Sequence, residues 1–246
     1  MYILHTRITK EFARAIVGYV GNATSICLYL SPLGTFNTII RNKSTKEFKA
    51  DPYLATIQSC IIWIFYALPY VLGHNIPILT INTIAIGIEA IYITIYLIYA
   101  NPKQRLNVLF FLGLIMTFTA LLVGLVLGLV HTKTRRVYVV GMVAVVFCLG
   151  MYGAPLTVMS TVIRTKSVKY MPFSLSFMGL FNALVWTAYG LIEFDPFVVI
   201  PNGIGAFLCV IQLTLYGCFY RTTDWNEEED VSANQVELPT HTRPDA

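Results

Sequence analysis

The sequence predicts an all-α membrane protein of seven transmembrane helices arranged three plus one plus three, as two parallel triple-helix repeats. Composition is the first observation. Of 246 residues, 56% are apolar and 12% charged, with a mean hydropathy of +0.66, values that belong to bilayer-embedded chains rather than soluble domains. The second is a series of seven apolar runs near 15–40, 53–73, 76–99, 106–130, 137–163, 173–192 and 196–220, each close to the ~20 residues that a helix needs to cross the hydrocarbon core. The third is duplication. LYLSPLGTFNTIIRNKSTKEF, from Leu28, and MYGAPLTVMSTVIRTKSVKYMP, from Met151, align on Pro32 and Pro155, 123 positions apart, and repeat Pro-Leu, then Ile, then Arg-x-Lys-Ser-x-Lys. Two matched copies in one apolar chain make a repeated membrane unit.

The repeat and the odd helix explain each other. A unit of three helices crosses the membrane an odd number of times, so a direct second copy would be inverted. One additional crossing restores its direction, and the two parallel repeats then share an axis along the membrane normal. The chain divides accordingly into an extracellular N-terminal segment (1–14), a first triple-helix repeat (15–100), a linker helix with flanking loops (101–136), a second triple-helix repeat (137–220) and a cytosolic disordered tail (221–246).

Span one carries Asn22, Thr24, Ser25, Ser31 and Pro32 among apolar residues. Polar groups left unpaired in lipid are costly, so this face is expected to look into the protein. Span two carries Gln58, Ser59, Trp63 and Tyr66; span three carries Asn82 and Glu89 and ends at Asn101-Pro102, a stop signal. Span four is Leu, Val, Phe and Gly with almost nothing polar, and it has no counterpart elsewhere. Spans five to seven repeat one to three: Pro155 for Pro32, Trp186-x-x-Tyr189 for Trp63-x-x-Tyr66, and Pro201-Asn202 for Ile81-Asn82. Two registers are open in the second helix of each unit. The loop prolines Pro52 and Pro172, 120 apart, pair Tyr66 with Trp186, whereas the local pattern pairs Trp63 with Trp186. Beyond Tyr220 the chain turns to DWNEEED and polar residues, a composition that stays solvated.

The net charge of +4 does not point to nucleic acid, because the basic residues stand one loop at a time between apolar runs. Their placement reports orientation instead. With the N-terminus outside, 11 Lys and Arg fall inside (Arg41, Lys43, Lys46, Lys49, Lys103, Arg105, Arg164, Lys166, Lys169, Arg221, Arg243) and six outside (Arg7, Lys10, Arg14, Lys133, Arg135, Arg136). The bias favours a cytosolic C-terminus, with the loop HTKTRR running against it. Cys27, Cys60, Cys148, Cys209 and Cys218 lie within or at the ends of spans, with no C-x-x-C pair and no matching His spacing. They read as apolar fillers, and no metal or cofactor is expected. Residues 1–14 lack the apolar region of a cleaved signal peptide, so the first span is expected to target the membrane. H-E-x-x-H, G-x-S-x-G and phosphate-cradling glycine loops are all missing, which argues against an enzyme.

Four groups of residues could carry function. Asn82 and Asn202 occupy matching places in the two repeats, which sets two amides, each both donor and acceptor, across the axis near mid-membrane. An interhelical hydrogen bond, commonly worth about 1 kcal/mol, is the plain alternative, and the symmetry of the pair argues against it. Trp63 and Trp186 supply aromatic surface beside them. Pro32 and Pro155 lie deep in apolar runs, where a missing backbone donor leaves a place to bend; Pro52 and Pro172 also suit the start of a helix. Glu89 is the one acidic residue well inside a span. An intramembrane carboxylate is a functional candidate by default, yet no second acidic or basic residue is expected near it, and a protonated or hydrogen-bonded glutamate suffices structurally.

MYGAPL, TKSVKYMPF, WTAYGL and DPFVVIPNGIG, with GNAT, SPLGTF, NKST and YALPY in the first half, resemble the plant SWEET sugar facilitators over roughly residues 16 to 220. The resemblance implies uncoupled, bidirectional movement of a sugar, an uncharged polyol with apolar C–H faces, through the plasma membrane, with the vacuolar membrane second, and assembly into homo-oligomers. It implies that Asn82, Asn202 and Trp186 bind the sugar. Trp63 stands where the family often has a smaller residue, so a pocket that includes it would be tight and favour a hexose over sucrose. It further implies that Pro32, Pro52, Pro155 and Pro172 form the proline tetrad near a cytosolic gate, and that Tyr66, Tyr189 and Asp195 lie at an extracellular gate. Two rival readings remain. A seven-span receptor conflicts with the parallel repeat and lacks Asp-Arg-Tyr after span three and Asn-Pro-x-x-Tyr in span seven. A proton-coupled carrier of a small solute would need Glu89.

Overall fold

The computed structural model describes residues 2–73 and 75–225; of residues 2–8 only the backbone is described. The expected tail falls, from residue 226 onward, outside the described residues. The described residues form helices and no strand: α1 (Tyr2–Tyr29), α2 (Leu33–Asn42), α3 (Asp51–Ala67), α4 (Ile76–Tyr99), α5 (Pro102–Leu129), α6 (Lys133–Met151), α7 (Gly153–Thr165), α8 (Phe173–Ile192) and α9 (Pro196–Phe219). Among the described residues these nine helices make seven spans, because spans one and five are each broken near a proline. Pro32 and Pro155 have no N–H to donate, and their rings crowd the carbonyls of Leu28 and Met151 four residues earlier. Around the breaks the chain falls back on tighter bonds, Ser31 N to Leu28 O at 3.0 Å and Tyr152 N to Leu149 O at 3.1 Å. The half-helices α2 and α7 end alike, at Lys43 and Lys166 in the left-handed region, with φ of 48° and 54°. The duplicated motif therefore folds the same way twice.

Six spans are long and apolar enough to cross a membrane on those grounds alone. The seventh, α3, has 17 residues, about 25 Å at 1.5 Å per residue. It ends at Ala67 rather than near 73 as the apolar run suggested, because Pro69 drives Leu68 into extended backbone, at ψ 155°. Helix α1 departs in the other direction, starting at Tyr2 rather than near residue 15.

Within each triplet the third helix sits between the other two: α4 packs on α1 and α3, and α9 on α6 and α8. Between triplets α1 packs on α8 and α3 on α6. Six spans thus close a ring, α1–α4–α3–α6–α9–α8, and α5 lies outside it against α3 with most of its side chains exposed, as a lipid-facing connector would. Two glycines allow close approach at equivalent places. A Cβ on Gly18 would fall 2.7 Å from the Pro77 ring, and one on Gly141 would strike the ring of Phe197; Gly18 and Gly141 are 123 apart, Pro77 and Phe197 120 apart.

The core is not spread evenly along the axis. At the end where α3 joins α4 and α8 joins α9, one cluster spans both triplets and includes Tyr66, Val71, Val140, Tyr189 and Phe197. At the other end there are two clusters, one of the first triplet and the adjoining α5 around Phe36, Tyr92 and Tyr96, the other within the second triplet around Met159, Val162 and Met171. The triplets are packed together at one end and separate at the other. Of the polar face of span one, Asn22, Thr24 and Ser25 are buried and Ser31 is exposed.

Candidate functional site

A cavity of ≈ 360 Å³ lies on the ring axis, and Asn82, Asn202, Trp63 and Trp186 all line it. Asn82 on α4 and Asn202 on α9 have the same local geometry: each Nδ2 donates to the carbonyl four residues earlier, of Ile78 or Val198, at 2.8 Å. That bond fixes the amide and leaves its Oδ1 and one N–H for the cavity. The two tryptophans are held equivalently too. Trp186 Nε1 donates to Ser25 Oγ at 3.0 Å, and Trp63 Nε1 to Cys148 Sγ at 3.3 Å. Ser25 and Cys148 are themselves 123 positions apart. The local register therefore holds in α3 and α8, with Trp63 matching Trp186 and Tyr66 matching Tyr189. The prolines misled because Pro52 lies 11 residues before Trp63 and Pro172 14 before Trp186.

Two further groups line the cavity: Asn182, which the sequence reading passed over, and Ser59, which it noted only among the polar residues of span two. Asn182 accepts from Ser25 Oγ at 2.8 Å and from Thr24 Oγ1 at 2.7 Å. Ser59, its counterpart, meets Cys148 Sγ at 4.0 Å. Both stand one helical turn before a tryptophan, so the i, i+4 spacing of Ser59-Trp63 and Asn182-Trp186 put them on the tryptophan face. Cys60 and Cys148 also line the cavity, so two of the five cysteines do more than fill. The lining holds hydroxyls, amides, thiols and aromatic rings and no Asp, Glu, Lys or Arg. Such a surface can hydrogen-bond and stack on a neutral solute. No three His, Cys, Asp or Glu side chains gather to hold a metal among the described residues.

Above the tryptophans the axis is shut. Trp63 meets Tyr66 edge-on at 5.4 Å, and Trp186 meets Tyr189 at 5.2 Å. Tyr66 Oη reaches both oxygens of Asp195, at 2.9 and 3.0 Å, and Tyr189 Oη donates to Asn75 Oδ1 at 2.7 Å. Asp195 and Asn75 are the N-caps of α9 and α4, accepting from the backbone N–H of Phe197 and Ile78. Each tyrosine on the second helix of one triplet thus reaches the cap of the third helix of the other. Tyr66 and Tyr189 are almost fully buried, at 0% and 2% exposure. Burial pushes the Asp195 carboxyl above its ordinary range, opposed by the Tyr66 hydroxyl, the N–H groups of Phe197 and Val198, and the Arg14 cation. Asn75 was not anticipated, although it lies 120 positions before Asp195.

The four prolines are all at the opposite end. Pro32 caps α2 and Pro172 caps α8, Pro52 is in the first turn of α3 and Pro155 in that of α7. Pro32 and Pro172 face one cleft of ≈ 520 Å³, which shares Leu28 with the central cavity; Pro52 and Pro155 do not line it. Glu89 lies apart from the cavity lining, 3% exposed, with Oε2 lacking a hydrogen-bond partner.

With the geometry in hand, comparison with known proteins places the chain. A family model described as "Sugar efflux transporter for intercellular exchange" matches residues 15–104 and 138–224, one match for each triplet, leaving out most of α5. A curated relative from Oryza sativa subsp. indica, "Bidirectional sugar transporter SWEET7b", is 44% identical over 237 residues, covering 95% of this chain and 86% of the relative. "Bidirectional sugar transporter SWEET7" of Arabidopsis thaliana is 46% identical over 211 residues, 85% of this chain and 82% of its own. A solved structure, "The 3.7 A resolution structure of a eukaryotic SWEET transporter", superposes with a TM-score of 0.82 at 33% identity, over 87% of this chain and 99% of that one. Two matched helical triplets around a lone connector, with this degree of identity over nearly the whole length, make the chain a member of the SWEET family of membrane sugar transporters.

Proposed function

We propose that the protein is a bidirectional, facilitative uniporter of a hexose, glucose or a close relative, that works by alternating access. The observation that carries this reading is the uncharged cavity between two equivalent asparagines, shut by tyrosines at one end and adjoining a cleft at the other. A sugar ring offers hydroxyls around its rim and C–H faces above and below. Asn82 and Asn202 meet the first with one free acceptor and one free N–H each, and Trp63 and Trp186 meet the second. Both tryptophans line the cavity, Trp63 as well as Trp186, so aromatic walls from both repeats narrow the space between the amides, which supports hexose over sucrose. With no Asp, Glu, His, Lys or Arg in the lining, no ion accompanies the sugar, and direction follows concentration. No covalent chemistry is assigned to the chain.

Alternation needs the tyrosine end to open as the proline end closes. Bends at Pro32 and Pro155, inside spans one and five, and at Pro52 and Pro172, where α3 and α8 begin, let each triplet rock around the cavity. Tyr66, Tyr189 and Asp195 then act as the extracellular gate and the proline end as the cytosolic one, consistent with the basic residues gathered in the loops Arg41–Lys49 and Arg164–Lys169. The plasma membrane is the assigned location, with the vacuolar membrane the alternative, and copies of the chain assemble with one another in the bilayer.

The test is counterflow in proteoliposomes with labelled glucose, fructose and sucrose. Glucose exchange without a pH gradient, and little sucrose exchange, are expected. Sucrose exchanged as fast as glucose would overturn the hexose assignment, and exchange that required a pH gradient would overturn the uniport.

A further inference from the structure

The tyrosine barrier has two halves that differ in one respect. Tyr66 is held by a carboxylate, Asp195, whereas Tyr189 is held by an amide, Asn75. A hydrogen bond to a charged acceptor is roughly twice as strong as one between neutral groups, so the amide half would be the weaker one if nothing else held it. Something else does. Arg14 on α1 lies with its guanidinium carbon 4.6 Å from the centre of the Tyr189 ring. The same guanidinium pairs through Nη1 with Glu193, two residues before the cap of α9. Its side chain is 18% exposed and that of Glu193 46% exposed, both on the wall of an outer vestibule of ≈ 730 Å³ that also contains Tyr66, Tyr189, Asn75 and Asp195.

The other half has no such arrangement. In the 123-residue register the counterpart of Arg14 is Val137, and counted back from the N-cap the counterpart of Glu193 is Gly73. An aliphatic side chain and a glycine cannot make an ion pair. The charges therefore act in different places: a carboxylate directly on the Tyr66 hydroxyl, with the Arg136 cation reaching only the backbone carbonyl of Tyr70 in the α3–α4 connection at 3.4 Å, and a cation on the face of Tyr189 tied through a carboxylate to the α8–α9 connection.

We propose that Arg14 is a positioning residue of the outer gate, which holds Tyr189 closed through its ring face and through Glu193, and so compensates for the neutral Asn75. This rests on the alternating-access reading above. Opening the tyrosine end must part α1 from the α8–α9 connection, and the Arg14–Glu193 pair is broken in that movement. Its strength sets how much of the protein waits closed at that end. The pair is partly in water, so salt weakens it; the Tyr66–Asp195 contact, more deeply buried, responds less.

The test uses the full-length protein in cells, in a background whose other cysteines are replaced, leaving Cys148 in the cavity. An impermeant thiol reagent added on the tyrosine side reaches Cys148 only when that end is open. Arg14→Met, which removes both the cation–π contact and the partly exposed ion pair, is expected to raise the labelling rate about threefold to fivefold, and Glu193→Gln, which removes only the pair, about twofold, neither raising labelling from the proline side. Arg14→Lys keeps the charge and should fall between. Lys10→Gln removes an exposed cation one turn away and should change nothing, which separates the contact from net charge. Tyr66→Phe is the reference for the gate itself. Labelling raised by Tyr66→Phe and unaltered by Arg14→Met would overturn the role of Arg14 and leave the gate standing. Labelling unaltered by both would overturn the gate reading. A rise from both sides equally would mean that Arg14 only stabilises the fold.

Discussion

Replacing Asn82 by Ala or Leu removes one wall of the proposed sugar site with little cost to the fold, which makes it the sharpest perturbation available. The Asn82 Nδ2 bond to Ile78 O is redundant for the helix, since that carbonyl already accepts from the backbone N–H of residue 82. What is lost is the free Oδ1 and the second N–H, hence up to two hydrogen bonds to sugar hydroxyls. At about 0.5–1.5 kcal/mol net for each, the loss is about 1–3 kcal/mol, or roughly 5- to 150-fold in affinity. Asn202 repeats the geometry on α9, so Asn202→Ala should cost a similar amount, and the double variant should leave no measurable saturation. The assay is equilibrium exchange in proteoliposomes across a range of glucose concentrations, with thermal stability in detergent as the control. A KM within about twofold of the unaltered protein in both single variants, with the fold intact, would refute the assignment of the amides to the sugar.

Three further outcomes are expected. Gly141→Ala puts a methyl group into the Phe197 ring and should lower stability by about 1–3 kcal/mol, the range for overpacking, read as a fall in melting temperature; Gly113→Ala, on α5 with open space around it, should be neutral. Cys148 lines the cavity and accepts the Trp63 indole N–H, so in a Cys60→Ala background organomercurials added from the proline side should block exchange, glucose should slow the block, and Cys148→Ser should abolish that protection-sensitive component. Glu89→Gln should leave glucose exchange within about twofold and equally indifferent to a pH gradient, because the side chain is outside the cavity lining and its replacement keeps the shape; uptake that a pH gradient drives in the unaltered protein and that the variant loses would revive the proton-coupled carrier.

Much of this was legible in the chain because duplication writes most of the candidate positions twice. Pro32 with Pro155 announced the broken spans, and Asn82 with Asn202 the paired amides. The register of α3 and α8 was not legible, because two anchors disagreed by three residues, nearly one helical turn. The structure places the difference on both sides of the tryptophans. The first copy is three residues shorter from proline to tryptophan, and three longer from Tyr66 to Asn75 than from Tyr189 to Asp195, nine against six. The early end of α3 could have been read from Pro69, whose effect on Leu68 is local. Arg14 could not. Its partners lie about 180 residues away, 179 to Glu193, and no spacing rule joins positions that meet only when α1 packs on α8.

Unequal packing along the axis is what would let a symmetric scaffold work as the proposed gate. The cluster around Tyr66, Tyr189 and Phe197 joins the two triplets at one end, while at the other neither the cluster around Phe36 nor that around Met159 crosses from one triplet to the other. Rocking that separates the triplets at the tyrosine end exposes apolar surface there, at about 25 cal/mol per Å², and must recover a comparable area at the proline end for the two states to remain close in energy. The material for that recovery is present: Leu33, Ile40, Leu156 and Ile163 are exposed on the broken half-helices α2 and α7, on the sides of the breaks that would move. A polar residue at Leu156 or Ile163 should then favour the state open at the proline end without touching the cavity. In the labelling assay it would slow access to Cys148 from the tyrosine side and leave the affinity for sugar at the proline side intact, whereas a lipid-facing role for these residues would leave the access rate where it was.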